Sequence, residues 1–308
     1  MTNSIAVVGS INVDSILHID RLPQPGETIS MQTFSKAAGG KGANQAVAAA
    51  RAGAKVAFIG GVGHDDNGRF MLHQMAADGI DTQGVTTFAD AQTGQAYILL
   101  QASGQNSIIV QHGANFVLRA EHIMDRQATL TDVDYTIAQF EVPTSVIQAA
   151  FDQTKAVGHH TILNPAPAQT ELSDKLLAVT DLIVPNETES GLITGIAVTD
   201  LASMQANAAW YHDHGVQAVI ITLGAKGSYV SYGDLEMIVP AFKVKAVDTT
   251  AAGDTFIGAL AAELNPDFSN FETAIRYASM SSAFTVQTLG AFPSIPQRQT
   301  VVDVLTNR

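Results

Sequence analysis

Short apolar runs that end in glycine or a polar residue recur along this chain, and between them the apolar positions fall into helical spacing. Residues 4–9 predict a buried strand that opens into a polar loop, Ser10-Ile11-Asn12-Val13-Asp14. Residues 43–52 form an alanine-rich helix stopped by Gly53, and residues 56–60 a second buried strand, so 37–63 reads as a loop-helix-strand unit. The alternation continues with strands at 133–139, 159–163, 181–184 and 218–222, and with helices from Pro143 to about 157 and over 199–214. It predicts an α/β fold with a doubly wound, mainly parallel sheet flanked by helices. Two stretches break the pattern: 15–36, around Pro23-Gln24-Pro25-Gly26, and 94–112, around Ser103-Gly104-Gln105. Each alternates loosely and reads as a half-buried pair of antiparallel strands. They predict a small β lid or dimer face, inserted at about 11–38 and 93–113 in a single domain spanning 1–308, with no repeat or linker.

Composition narrows the function classes. Of 308 residues, 46% are apolar and 15% charged, enough for a large core, and no stretch approaches the ~18 continuous apolar residues of a membrane helix. The start, MTNSIAVVGS, lacks the basic segment of a secretory signal. Zero cysteines remove disulfide and thiolate chemistry and fit a reducing, cytoplasmic setting. A formal charge of −13 argues against a nucleic-acid or membrane surface. Any phosphate ligand must be handled locally, by backbone donors, a few cations and metal. The nine histidines show no metal-site spacing.

Candidate chemistry gathers at strand ends, where open parallel sheets bind ligands. Glu141, Asn164, Asn186 and Thr222 all occupy such ends. Asn12 and Asp14, two apart, point to one side of an extended segment, or else belong to a solvated turn. Gly40-Lys41 is not a P-loop, because Gly42 follows the lysine, and the glycines at 61, 63 and 68 miss a dinucleotide spacing. Gly39 and Gly40 instead allow close backbone approach, while Lys41 and Asn44 offer donors at a helix start. That suits a neutral polyol, with simple helix initiation as the alternative. In residues 248–256, DTTAAGDTF, the small side chains of Ala251, Ala252 and Gly253 leave N–H groups open at a helix start and lead into Asp254. This reads as an anion-binding turn carrying a base, although a helix dipole alone also favours an acid there.

Together, Gly39-Gly40-Lys41-Gly42-Ala43-Asn44, Pro185-Asn186-Glu187-Thr188-Glu189, Thr222-Leu223-Gly224 and the 248–256 segment resemble the signatures of the ribokinase-type sugar kinases. The similarity runs from GSINVD near the start to GAFPSIP near the end. It implies ATP-dependent phosphorylation of the 5-hydroxyl of D-ribose, with Mg²⁺ required and K⁺ as a monovalent activator. Asp254 would be the catalytic base, and the backbone of Ala251, Ala252, Gly253 and Asp254 the anion hole. Ribose would be held by Asn12, Asp14, Gly40, Lys41, Asn44 and Glu141. Asn186, Thr222, Gly224, Gly227, Gly253 and Ser279 would serve ATP, with Glu189 acting on Mg²⁺ indirectly. The K⁺ positions would be Asp248, Thr250, Thr285, Thr288, Gly290 and Ser294, mostly through oxygens that a hard cation prefers. Ser279 stands where relatives often carry histidine, and Thr250 replaces a more usual aliphatic residue. The β units would form a lid whose faces pack in a homodimer. The alternatives are a kinase for 2-deoxyribose or a nucleoside, or a non-catalytic sugar-binding protein on the same fold.

Overall fold

A computed structural model describes residues 2–307; Met1 and Arg308, the ends of the expected 1–308 span, lie outside the described residues. The strands are β1 (Ser4–Val8), β2 (Asn12–Ile19), β3 (Thr33–Gly39), β4 (Lys55–Gly63), β5 (Asp81–Phe88), β6 (Gly94–Gln101), β7 (Asn106–Gln111), β8 (Tyr135–Gln139), β9 (His160–Asn164), β10 (Leu182–Ile183), β11 (Ala218–Thr222), β12 (Ser228–Tyr232) and β13 (Leu235–Val239). The helices are α1 (Lys41–Arg51), α2 (Asp66–Ala77), α3 (Ala120–Met124), α4 (Gln127–Thr131), α5 (Thr144–Ala156), α6 (Asp174–Leu177), α7 (Glu187–Thr194), α8 (Leu201–Asp213), α9 (Ala252–Glu263), α10 (Phe271–Thr285) and α11 (Arg298–Thr306).

Nine strands form one sheet in the order β13-β12-β11-β10-β9-β8-β1-β4-β5. From β11 to β5 every pairing is parallel, while β12 and β13 add an antiparallel edge. Period-two alternation builds a core on each face. In β1, Ile5 and Val7 enter one core with α1, α2, α9 and α10, and Ala6 and Val8 enter the other with α5 to α8. Fully burying Phe58 in the first core and Phe151 in the second contributes about 1.5–3 kcal/mol apiece. The chain order reverses at β1, which lies between β4 and β8, and a crevice opens at such a switch point. No helix among the described residues is long and apolar enough to cross a membrane.

A second sheet of four strands runs β3-β2-β6-β7. Both expected hairpins are antiparallel, but they are joined through a parallel β2–β6 pair into one sheet. Two local expectations change. Of the two readings of Asn12 and Asp14, the extended one holds and the polar loop or turn does not, because β2 takes β3 and β6 as partners from Asn12 onward. Helix α1 begins at Lys41, two residues earlier than the alanine pattern indicated, since Asn44 N–H already donates to Gly40 O.

Candidate active site

The crossing from β1 to β2 and the start of α1 meet at the switch point. Glu141, just past β8, accepts hydrogen bonds on Oε2 from Ser10 Oγ at 2.5 Å and from Lys41 N at 3.0 Å. Ser10 O in turn accepts from Ala43 N at 2.9 Å. The glycines of this loop make room for the chain itself, not only for a ligand. A Cβ on Gly39 would lie 2.5 Å from the Asp14 carboxylate, and one on Gly40, at φ 95°, would lie 2.8 Å from Asn12 N. Asn12 is buried and held by Asn115, whose Nδ2 donates to Asn12 Oδ1 at 2.8 Å. Burial, with the Glu141 charge adding to it, pushes the Asp14 carboxyl up to about 7.

Helix α9 begins abruptly. Its N-cap, Ala251, is left-handed at φ 60°, a conformation that costs an alanine roughly 1–2 kcal/mol and that is often kept where a functional turn requires it. Asp254 follows in the first turn, 7% exposed, where the helix dipole favours a carboxylate. Asn44 Nδ2 donates to its Oδ2 at 2.9 Å and Gln45 Nε2 to its Oδ1 at 3.0 Å. Asn44 Oδ1 is buried without a partner. The Asp254 charge raises the Lys41 ammonium, burial opposes this, and Glu141 and Glu189 add to the rise. Of the N–H groups expected to receive an anion, that of Ala252 is already donated to Thr249 O at 3.2 Å.

A cavity of about 200 Å³ lies against this turn, lined by Lys41, Asn164, Asn186, Glu189, Thr222 and residues 251–254 among others. Asn186 caps α7: its Oδ1 accepts from Glu189 N at 2.8 Å, and Glu189 Oε2 accepts from Asn186 N at 2.9 Å. Burial raises the Glu189 carboxyl and outweighs that bond and Lys41. Asn186 also bridges to Thr222, which brings the β10 and β11 ends together. In the turn after β11, Gly224 has φ 55° and Gly227 φ 117°, and a Cβ on Gly227 would fall 2.0 Å from Val239 O. Ser279 is buried on α10, which packs against α9, and is not one of the residues lining this cavity.

The segments at 248–250 and 285–294 meet beside the α9 start. Asp248 Oδ1 accepts from Thr250 N and Oγ1, and its Oδ2 from Gly290 N at 2.9 Å. Burial on its own raises the Asp248 carboxyl, but these bonds outweigh it and hold it low. Thr285 Oγ1 donates to Thr255 Oγ1 at 3.0 Å, Ser294 Oγ to Ala291 O at 2.7 Å, and Thr288 is exposed. Among the described residues, no three His, Cys, Asp or Glu side chains cluster as a metal site.

The cavity thus gathers Lys41, Asn186, Glu189, Thr222 and residues 251–254; Lys41 N joins Glu141 to it and Asn44 N joins Gly40, while Asn12 and Asp14 adjoin through the close approach of β2 to Gly39 and Gly40. Ser10, Gln45, Asn115 and Gln139 enter the site without a sequence signal of their own. Arg51 does so too: its guanidinium pairs with Asp78 at 2.7 Å and donates to Phe292 O at 2.5 Å and Ile295 O at 2.8 Å, next to Ser294.

A parallel sheet whose polar strand ends surround a cavity at a helix N-terminus is the frame of an enzyme that handles phosphate. The family profile for pfkB family carbohydrate kinase matches residues 2–298, and the chain belongs to that family of ATP-dependent carbohydrate kinases. It is 44% identical to a ribokinase of Staphylococcus aureus over 99% of this chain and 100% of the relative. It is 45% identical to a bifunctional ribokinase/ribose-5-phosphate isomerase A of Fructilactobacillus sanfranciscensis over 98% of its length, and spans 56% of that longer protein. The structure of Arabidopsis thaliana ribokinase complexed with ribose and ATP superimposes with a TM-score of 0.94, at 33% identity and 99% coverage of both chains.

Proposed function

We propose that this chain transfers the γ-phosphate of ATP to the 5-hydroxyl of D-ribose, giving ribose 5-phosphate and ADP, with Asp254 as general base. The observation that carries this reading is Asp254 itself: a buried carboxylate in the first turn of α9, on the cavity wall, with Asn44 on one oxygen. Phosphoryl transfer asks little covalent chemistry of a protein beyond alignment, charge neutralisation and exclusion of water. Asp254 takes the proton of the attacking hydroxyl, while the first turn of α9, residues 251–254, and the Lys41 ammonium meet the negative charge of the transferring group. Asn12, Asp14, Gly40, Lys41, Asn44 and Glu141 hold the sugar, and the unpartnered Asn44 Oδ1 supplies an acceptor for one of its hydroxyls. Asn186, Thr222, Gly224, Gly227, Gly253 and Ser279 serve the nucleotide.

The acidic, oxygen-rich wall formed by Glu189 and Asn186 fits Mg²⁺ acting with the phosphates, where a divalent charge would offset theirs. Asp248, Thr250 and Gly290, brought together by hydrogen bonds, with Thr285, Thr288 and Ser294 on the adjoining segment, offer hydroxyl and carbonyl oxygens that fit K⁺ beside the α9 start. The four-stranded sheet acts as a lid over the sugar and as a homodimer face. Ile108, Ile109 and Val110 on β7 and Phe34 on β3 support this, since all are largely exposed on strands with edges to cover. The cysteine-free composition supports a cytoplasmic setting.

A coupled assay of ADP release tests the reading. Turnover that requires both D-ribose and Mg²⁺ is expected; ribose binding without ribose-dependent ADP release would make the chain a sugar-binding protein instead.

A further inference from the structure

Asp254 is gripped by two consecutive residues of α1 that differ in what they leave free. Asn44 donates to one oxygen and keeps its own Oδ1 open. Gln45 donates to the other oxygen and is fully buried, with its amide committed elsewhere as well: Nε2 also donates to Asn164 Oδ1 at 3.1 Å, and Oε1 accepts from Gln139 Nε2 at 2.7 Å. A side chain so enclosed has no atom left for a ligand.

The direction of this amide chain is set by its carboxylate end. A carboxylate only accepts, so Gln45 must turn its nitrogen toward Asp254, which leaves its oxygen facing Gln139 and makes Gln139 turn its nitrogen as well. The cost falls at the far end, where Gln139 Oε1 is buried with no partner. The distance between the helices is fixed one turn beyond Asp254. A Cβ on Gly258 would lie 2.3 Å from Gln45 O and 2.7 Å from Ala48 Cβ, so only glycine lets α9 approach α1 closely enough for the Gln45 amide to reach the carboxylate.

We propose that Gln45 is a positioning residue for the phosphoryl-transfer base, holding the Asp254 carboxylate in a fixed orientation, and that Gln139 acts through Gln45. This rests on the reading of Asp254 as the base. An alignment made before the sugar binds would act on turnover more than on sugar affinity, because Gln45 touches no ligand.

The test compares Gln45→Met, Gln45→Glu, Gln139→Met and the Gln45→Met/Gln139→Met pair with Asp254→Asn, at saturating ATP and Mg²⁺, with thermal melting recorded for each. Gln45→Met is expected to lower kcat about 10- to 100-fold, the range for a lost hydrogen bond to a charged group, with the ribose KM within about threefold. Gln45→Glu, which keeps the shape but sets a second carboxylate against Asp254, loses at least as much. Gln139→Met loses less and adds nothing further in the Gln45→Met background. The proposal is overturned if Gln45→Met and Gln45→Glu keep kcat near the parent value, if the loss falls on KM instead, or if the two sites multiply independently. If Gln45→Met does not fold, Gln45→Glu and Gln139→Met decide by the same criteria. Loss of turnover in Asp254→Asn with parent-like Gln45 variants sinks this inference alone, whereas an active Asp254→Asn removes the base assignment and the inference with it.

Discussion

Asn44 and Asp254, 210 residues apart in the chain, share a 2.9 Å hydrogen bond that joins the first turn of α1 to the first turn of α9. In the proposed reading one half of the site holds hydroxyls and the other faces phosphate, so this bond lies where the two would meet. Asn44→Ala removes both the Asp254 contact and the free acceptor. It is expected to lower kcat/KM for ribose by about 10- to 100-fold, with contributions from both kcat and KM, as steady-state kinetics would report.

Asp14 gives the sugar side a pH dependence. Its folded-state value of about 7 lies above the ordinary 3.8, raised by burial first and by the Glu141 charge second. The sign follows from that rise: the folded protein retains a proton that the unfolded chain releases, so stability without ligand falls as pH climbs from near 4 to about 7. Ionised Asp14 accepts sugar hydroxyls better, so the ribose KM is expected to fall as pH rises through about 7. Asp14→Asn should flatten both trends, as urea unfolding and KM measured across that range would reveal. A parallel comparison with 2-deoxyribose should show a lower kcat/KM than ribose, because a missing hydroxyl leaves a buried polar group unpaired.

Arg51 links the core to the 292–295 turn. Arg51→Ala strands the largely buried Asp78 and frees the Phe292 and Ile295 carbonyls beside Ser294. A loss of about 1.5–3 kcal/mol in unfolding free energy is expected, the range for hydrogen bonds to a charged group at a partly buried pair. Under the proposed K⁺ site, a titration of activity against K⁺ should show the half-maximal concentration rise in this variant; no K⁺ dependence in the parent would contradict that site.

The fold was most legible where burial leaves a one-dimensional trace. The apolar runs of β1, β9 and β11 stand out because both faces are covered, whereas the Asn186–Glu189 capping box that starts α7 went unread, Asn186 being legible only as a strand end. Strand β5 left little trace, since at the sheet edge only Gly84 of its eight residues is buried. The antiparallel pair β12 and β13 and helix α2 also went unread. Within the site, Asp254, Lys41, Asn44, Glu141 and Glu189 were legible as polar residues at strand ends and helix starts. Gln45 and Gln139 were not: a glutamine in an alanine-rich helix looks like a solvent-facing residue, and only the packing of α9 and β9 against α1 and β8 buries it.

The exposed β7 face carries its own expectation. Ile109, 60% exposed, lies on edge strand β7, with Ile108 and Val110 exposed on the opposite side of the sheet, and a second copy pairing at this edge would cover it. Ile109→Glu should convert a dimer into monomers by light scattering at micromolar concentration. A parent protein already monomeric under those conditions would contradict the assignment of this face.

The central claim is that Asp254 takes the proton from the sugar hydroxyl as phosphate is transferred. Asp254→Asn preserves the shape of the side chain and removes its ability to accept that proton. Single-substrate kinetics on this variant, with ATP and Mg²⁺ saturating, should show kcat reduced about 10²- to 10⁴-fold and the ribose KM little changed. A variant that turns over ribose within tenfold of the parent rate would contradict the account.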